Sequence, residues 1–209
     1  MDFSIPRLYA IIDPAQTGGR SPVAIAQDLL SAGVQLIQYR DKRATSRDLF
    51  LLSRQIAEPV RQAGGDFIVN DRADVARAIE ADGVHLGQND LPVEPTRRVL
   101  SAGMCLGYST HALAQVIEAE NTSADYIAFG PVFPTSSKEN PDPVVGLEGL
   151  RKARQATHKP LVAIGGVTAE NARAAIEAGA DAVAVISDLV GAPNVAARAR
   201  EFLKALEEL

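Results

Sequence analysis

LVAIGGVTAENARAAIEAGADAVAVIS, residues 161–187, is the stretch whose reading decides the fold. Leu161 to Gly166 reads as a strand, an apolar run ending in a double glycine, as a buried strand opening into a tight turn would. Ala169 to Ala178 reads as a helix, and AGAD, residues 178–181, reads as its C-cap leading into a second apolar run, Val183 to Ser187. Strand, helix, strand in that order makes a parallel pair.

The same unit recurs through the chain. Strands are expected at Leu8 to Asp13, Val34 to Arg40, Phe67 to Asp71, Val84 to Asp90, Cys105 to Thr110 and Tyr126 to Phe129. Helices are expected at Val23 to Ala32 behind a Ser21-Pro22 cap, Ser46 to Ala63 with Pro59 bending or shortening it, and Val75 to Ala81. Further helices fall at Thr96 to Ala102, where Pro92 and Pro95 leave room for a short one only, and at Leu113 to Ala119, Leu147 to Ala156 and Val195 to Leu206. AGV, AGG, ADG and SAD precede successive strands as AGAD does. Eight units in 209 residues is about 26 residues each, close to the compact limit of a (β/α)₈ TIM barrel. A doubly wound open sheet gives a similar alternation. The barrel is preferred because eight units close one ring and polar residues gather at one end of nearly every strand.

Composition agrees with one domain, residues 1–209, built on a buried core of Ala, Val, Ile and Leu, with no Trp. The net charge of -5 argues against a nucleic-acid surface. The one cysteine, Cys105, excludes an internal disulfide and reads as a small core residue. With no basic and apolar leader and no apolar run near membrane-spanning length, the chain is expected to be cytoplasmic and soluble. Oligomeric state is left open, a homo-oligomer included.

In a barrel all strands point their C-terminal ends at one mouth. That rule collects Gln38, Arg40 and Lys42, then Asn70 and Asp71, Gln88 and Asp90, Ser109 and His111, the loop Thr135 to Lys138 with Ser137, Gly165-Gly166, and Ile186-Ser187. Asp71 and Asp90, from adjacent strands, offer hard oxygen ligands that suit Mg²⁺. Each is also open to the ordinary reading of a helix cap or a partner to an arginine such as Arg72. Metal carboxylates ringed by lysines suggest a diphosphate. Gly165, Gly166, Ile186 and Ser187 stand where barrels commonly bind a phosphate monoester, although double glycines also serve plain turns. The stretch from Gly130 to Gly146, with Thr135, Ser136, Ser137 and Lys138, is a surface loop or a phosphate cradle touching both ligands, and in the second case a lid. His85 and His158 read as structural. His111 is undecided, and Ser109, lacking a relay, reads as a hydrogen-bonding group rather than a nucleophile.

These motifs, IQYRDK (37–42), VND (69–71), GVHLGQND (83–90), GYSTH (107–111), DYIAFGPVFPTSSK (125–138), VAIGGV (162–167) and AVAVIS (182–187), resemble the thiamine-phosphate synthase family from Leu8 to about Phe202. The resemblance implies a barrel enzyme, a transferase joining a hydroxymethylpyrimidine diphosphate to a thiazole phosphate. It implies Asp71 and Asp90 on Mg²⁺, with Arg40, Lys42, Asn70 and Lys138 on the diphosphate. Gln38 and Ser109 would hold the pyrimidine, and Thr135, Ser137, Gly166, Ile186 and Ser187 the thiazole phosphate. Lys42, Ser109 and Lys138 are the expected catalytic set. Thr135-Ser136-Ser137-Lys138 departs from the commoner Thr-x-Thr-Lys, the ENPDPVV segment is longer than expected, and Tyr39 replaces an aliphatic residue. The competing readings are the related thiazole tautomerase, a non-catalytic barrel binding a phosphorylated metabolite, and an amino-acid-pathway isomerase of the same fold.

Overall fold

The structure, a computed structural model, describes residues 5–135 and 142–207. Eight parallel strands close a barrel in sequence order: β1 (Leu8–Ile12), β2 (Leu36–Tyr39), β3 (Asp66–Asn70), β4 (Gly83–Leu86), β5 (Cys105–Thr110), β6 (Tyr126–Phe129), β7 (Leu161–Ala163) and β8 (Ala182–Val185). β8 returns to β1 with Tyr9 opposite Ala184, so no sheet edge is left, and the open-sheet alternative is excluded.

The helices are α1 (Pro22–Ser31), α2 (Ser46–Gln62), α3 (Ala73–Ala78), α4 (Val93–Val99), α5 (Leu113–Glu120), α6 (Gly146–Ala156), α7 (Ala172–Glu177), α8 (Ser187–Val190) and α9 (Val195–Glu207). Several sequence expectations need adjustment, among them α3, which starts at Ala73 and not Val75, and α7, which starts at Ala172 and not Ala169. Ser21 occupies the N-cap of α1 but makes no side-chain cap bond. α2 runs on through Pro59, one turn from its end. α4 starts at Val93, three residues earlier than expected, because Pro92 precedes it and Pro95 lies in its first turn, where backbone N–H groups have no intrahelical partner. α8 has no counterpart among the expected helices, since four residues carry no readable period.

Two apolar layers hold the barrel. Inside it, Tyr9, Leu36, Ile68, Cys105, Tyr126 and Val162 pack together with Ala128, Ala182 and Ala184. Outside it, strand residues such as Ile12, Ile37, Val69 and Val183 meet the helices. α9 buries Ala199, Phe202 and Leu206 along one stripe, and truncating Phe202 to Ala would cost about 3–5 kcal/mol. Strands end earlier than expected, at Tyr39, Asn70, Leu86, Ala163 and Val185, so the polar residues after them sit in loops around the mouth. Among the described residues no helix is long and apolar enough to cross a membrane.

Candidate active site

A cavity of about 620 Å³ opens at the C-terminal ends of the strands. It is lined by Gln38, Arg40 and Lys42, by Asn70, Asp71 and Asp90, by Ser109 and Thr135, and by Gly165, Gly166, Ile186 and Ser187. Ser137 and Lys138, named in the same set from sequence, lie outside the described residues, as does the middle of the suggested lid.

One side of the cavity concentrates charge. Asp71 follows β3 with φ +63°, a left-handed conformation that costs a non-glycine residue about 1–2 kcal/mol. Its N–H donates to the His85 carbonyl at 2.8 Å, while Arg72 N–H reaches back to the Asn70 carbonyl at 2.8 Å. This turn aims the Asp71 carboxylate into the mouth rather than along the sheet. Arg72 does not pair with it, because its guanidinium forks onto Asp74 at 2.6 and 2.8 Å. Asp71 pairs instead with the Lys42 ammonium, and the Asp90 carboxyl is close enough to act on it. Burial, and then the neighbouring Asp90 carboxyl, push the Asp71 carboxyl up to about 6, against the pull of Lys42. Asp90 also accepts the Gly87 N–H at 2.7 Å, which closes its own turn; it caps no helix, since Pro92 stands at the N-cap of α4. Arg40 is clamped by Asp13, which is almost fully buried and also accepts the Ala15 N–H at 2.9 Å.

The opposite side is backbone-rich. Gly165 and Gly166 have φ of +85° and +66°, and a Cβ on Gly166 would lie 2.4 Å from the Pro134 carbonyl oxygen. The pair is therefore glycine because the loop after β6 packs directly on it, with Val132 N–H on the Ile164 carbonyl at 2.8 Å and Phe133 N–H on the Gly165 carbonyl at 3.1 Å. The plain-turn reading is thus too weak for these two residues. α8 is braced from two directions. Arg20 donates to the carbonyls of Val190 and Ala192, the latter at 2.8 Å, and Arg198 reaches Asp188 at 2.7 Å. Asp188 also takes the Ala169 N–H at 3.1 Å, linking the loop after β7 to α8.

A family model described as thiamine monophosphate synthase matches residues 8–189. The chain belongs to the thiamine monophosphate synthase family. It is 46% identical over 206 residues to the thiamine-phosphate synthase of Koribacter versatilis, covering 97% of this chain and 96% of that one. It is 47% identical over 195 residues to that of Methanoculleus marisnigri, covering 93% and 92%. A solved thiamine phosphate pyrophosphorylase from Pyrococcus furiosus, 37% identical, superposes with a TM-score of 0.88 over 97% of this chain and 96% of that chain.

Within this family member, His85, Asp142 and Gln115 belong to the cavity wall although sequence reasoning did not place them there. His85, read as structural, faces the cavity and hydrogen-bonds Ser109 Oγ through Nε2 at 2.8 Å and the Tyr126 hydroxyl through Nδ1 at 2.9 Å. The signal available was its place on β4, two residues before the strand-end loop on the inward face. Asp142 lies 3.5 Å from His111 Nε2, and Gln115 accepts the His111 N–H at 2.6 Å, so these two hold His111 at the rim. His111 Nδ1 meets the Gly130 carbonyl at 2.6 Å. His158, read as structural, is exposed and away from the cavity.

Proposed function

We propose that the cavity joins 4-amino-2-methyl-5-hydroxymethylpyrimidine diphosphate to 4-methyl-5-(2-phosphooxyethyl)thiazole, giving thiamine phosphate and diphosphate. The observation that carries this reading is the neighbouring carboxyls of Asp71 and Asp90 beside Lys42 and Arg40 on one side of a cavity whose other side is Gly165-Gly166 and Ile186-Ser187. Two carboxylates this close need a proton or a cation between them, and both offer hard oxygens, so the donor set fits Mg²⁺. Asp71 and Asp90 would hold that ion, which when bound neutralises charge on the leaving diphosphate.

The chain's own residues do the rest by position and charge. Arg40, Lys42 and Asn70 bind the diphosphate oxygens, with Lys138 completing the set, and favour the state in which the C–O bond to the pyrimidine methylene has broken and its electron pair has left with diphosphate. Gln38 and Ser109 orient the pyrimidine, whose amino group helps to spread the positive charge left on the methylene carbon. Thr135, Ser137, Gly166, Ile186 and Ser187 hold the thiazole phosphate, so that the ring nitrogen donates its lone pair to that carbon. No proton must move and no protein nucleophile is consumed, which agrees with a Ser109 bonded to His85 but given no carboxylate relay. Holding both reactants accounts for much of the rate.

The tautomerase reading is disfavoured because an isomerase acting on the thiazole alone has no use for Asp71, Asp90 and Lys42 gathered at the far side. Purified protein with Mg²⁺ and both substrates should release diphosphate, and Asp90→Ala should reduce release at least a hundredfold. Wild-type release unaffected by Asp90→Ala would refute the assignment of the charged side.

A further inference from the structure

A chain of hydrogen bonds runs through the barrel interior to the mouth. Gln38 Nε2 donates to the Tyr9 hydroxyl at 2.6 Å, the Tyr9 and Tyr126 hydroxyls lie 2.9 Å apart, Tyr126 OH meets His85 Nδ1 at 2.9 Å, and His85 Nε2 meets Ser109 Oγ at 2.8 Å. Gln38, Tyr9 and Tyr126 are no more than 1% exposed and His85 is 8% exposed, so water has little access to these bonds.

The backbone makes room for this chain. At Gly107 on β5 a Cβ would lie 2.0 Å from Tyr126 Cζ, 2.3 Å from its hydroxyl oxygen and 2.5 Å from His85 Nδ1. The His85 and Tyr126 rings stack with centroids 5.5 Å apart and planes 24° from parallel, which fixes the imidazole's orientation.

Proton counting gives the chain a direction. The Gln38 amide nitrogen only donates, so the single Tyr9 proton is left for the Tyr126 oxygen. If Tyr126 then gives its own proton to His85 Nδ1, the imidazole carries its proton on Nε2 and donates it to Ser109 Oγ, a tautomer that the ring contacts alone do not fix. Burial raises both phenols far above their ordinary range, so they remain donors and the chain conveys orientation, not charge. With that tautomer Ser109 Oγ is an acceptor towards His85, and its own O–H is left to point into the cavity.

We infer that Tyr9, Tyr126 and His85 are positioning residues that fix His85 as the Nε2–H tautomer and make Ser109 a hydrogen-bond donor to an acceptor nitrogen of the pyrimidine ring. This rests on the coupling reading for the identity of the ligand, but the tautomer does not. Gln38, at the other end of the chain and also on the cavity wall, has its amide orientation fixed by Tyr9, so both pyrimidine-facing side chains are set by one network.

Nitrogen-15 NMR of the histidine-labelled full chain, with His111→Ala and His158→Ala used to assign the signals, tests the tautomer without any substrate. The expected spectrum has the His85 proton on Nε2 and none on Nδ1, and a proton on Nδ1 would overturn the inference. Steady-state kinetics of Tyr126→Phe provide the second reading. Loss of the donor to His85 should lower kcat/KM for the pyrimidine diphosphate by about tenfold while KM for the thiazole phosphate stays within about twofold. No change, or an equal loss on both substrates, would overturn it. Should Tyr126→Phe fail to fold, Tyr9→Phe applies the same test one link further back. A wild-type chain that shows the expected tautomer yet does not couple the two substrates would sink the coupling reading and leave the tautomer assignment standing.

Discussion

Replacing Asp71 by Asn should make the protein more stable and nearly inactive at once. In the folded chain the Asp71 carboxyl is pushed from an ordinary 3.8 up to about 6, first by burial and then by Asp90, with Lys42 opposing both. A proton held about a hundredfold more tightly than in the unfolded chain corresponds to about 3 kcal/mol, and solvent at the open side of the mouth reduces this to ~1–2 kcal/mol. A carboxyl whose folded-state pKa lies above the unfolded value favours folding when protonated, so the cost is absent below about pH 4, grows as pH rises and is complete above about pH 6. Asn keeps the shape and removes the charge. Its melting temperature, measured with chelator present so that metal binding adds nothing, should exceed that of the wild type by roughly 2–6 °C at pH 8 and match it near pH 4. Activity should fall by ~10²–10³, because a close charge pair at an effective dielectric of about 20 is worth about 4 kcal/mol. A lower melting temperature at pH 8, a gain independent of pH, or activity within tenfold of wild type would refute the reasoning.

The same geometry sets other outcomes. The Mg²⁺ concentration that half-restores activity should rise as pH falls below about 6, since Asp71 must lose its proton to bind the ion, and a titration at pH 5.5 and 8 checks this. Gly166→Ala, which forces a Cβ to 2.4 Å from the Pro134 carbonyl oxygen at a left-handed φ, should raise KM for the thiazole phosphate at least tenfold and lower stability by about 1–2 kcal/mol or more, by kinetics and denaturant melts. Arg198→Met loosens Asp188 and α8, and should raise KM for the thiazole phosphate several-fold while leaving KM for the pyrimidine diphosphate unchanged, at a stability cost of about 1–3 kcal/mol. His111→Ala should retain coupling within about tenfold, because the ring is tied to Gly130 and Asp142 at the rim, and a loss as large as that of Asp71→Asn would contradict this placement.

The barrel was legible because each strand is a short apolar run closed by a polar residue, and most helices give way to a small turn rich in glycine or aspartate just before the next strand. Leu161 to Ser187 shows all three signals, and the other units repeat them. The mouth was legible for the same reason: parallel strands all end on one face, so the residues just past each strand name the cavity wall. The features hidden from sequence depend on contacts between distant residues. Asp71 takes a left-handed φ to aim its carboxylate, and nothing in VND announces that conformation. Arg72 was an available partner for Asp71 in sequence, but its own neighbour Asp74 holds it, and the ammonium that meets Asp71 comes from the loop after β2. His85 looked structural because an inward strand histidine usually is, and only the stacked Tyr126 and the nearby Ser109 reveal its second bond. α8 is four residues long, below the length at which a helical period can be seen.

One cavity is assigned to hold a diphosphate at Asp71 and Asp90 and a phosphate monoester at Gly165-Gly166, and to join their carriers. Phosphorus NMR of the wild-type chain with Mg²⁺ and both substrates in one tube tests that claim most directly. The pyrimidine diphosphate and thiazole phosphate signals should disappear together while free diphosphate and thiamine phosphate appear in equal amounts. Both substrate signals persisting, with no free diphosphate formed, would contradict it.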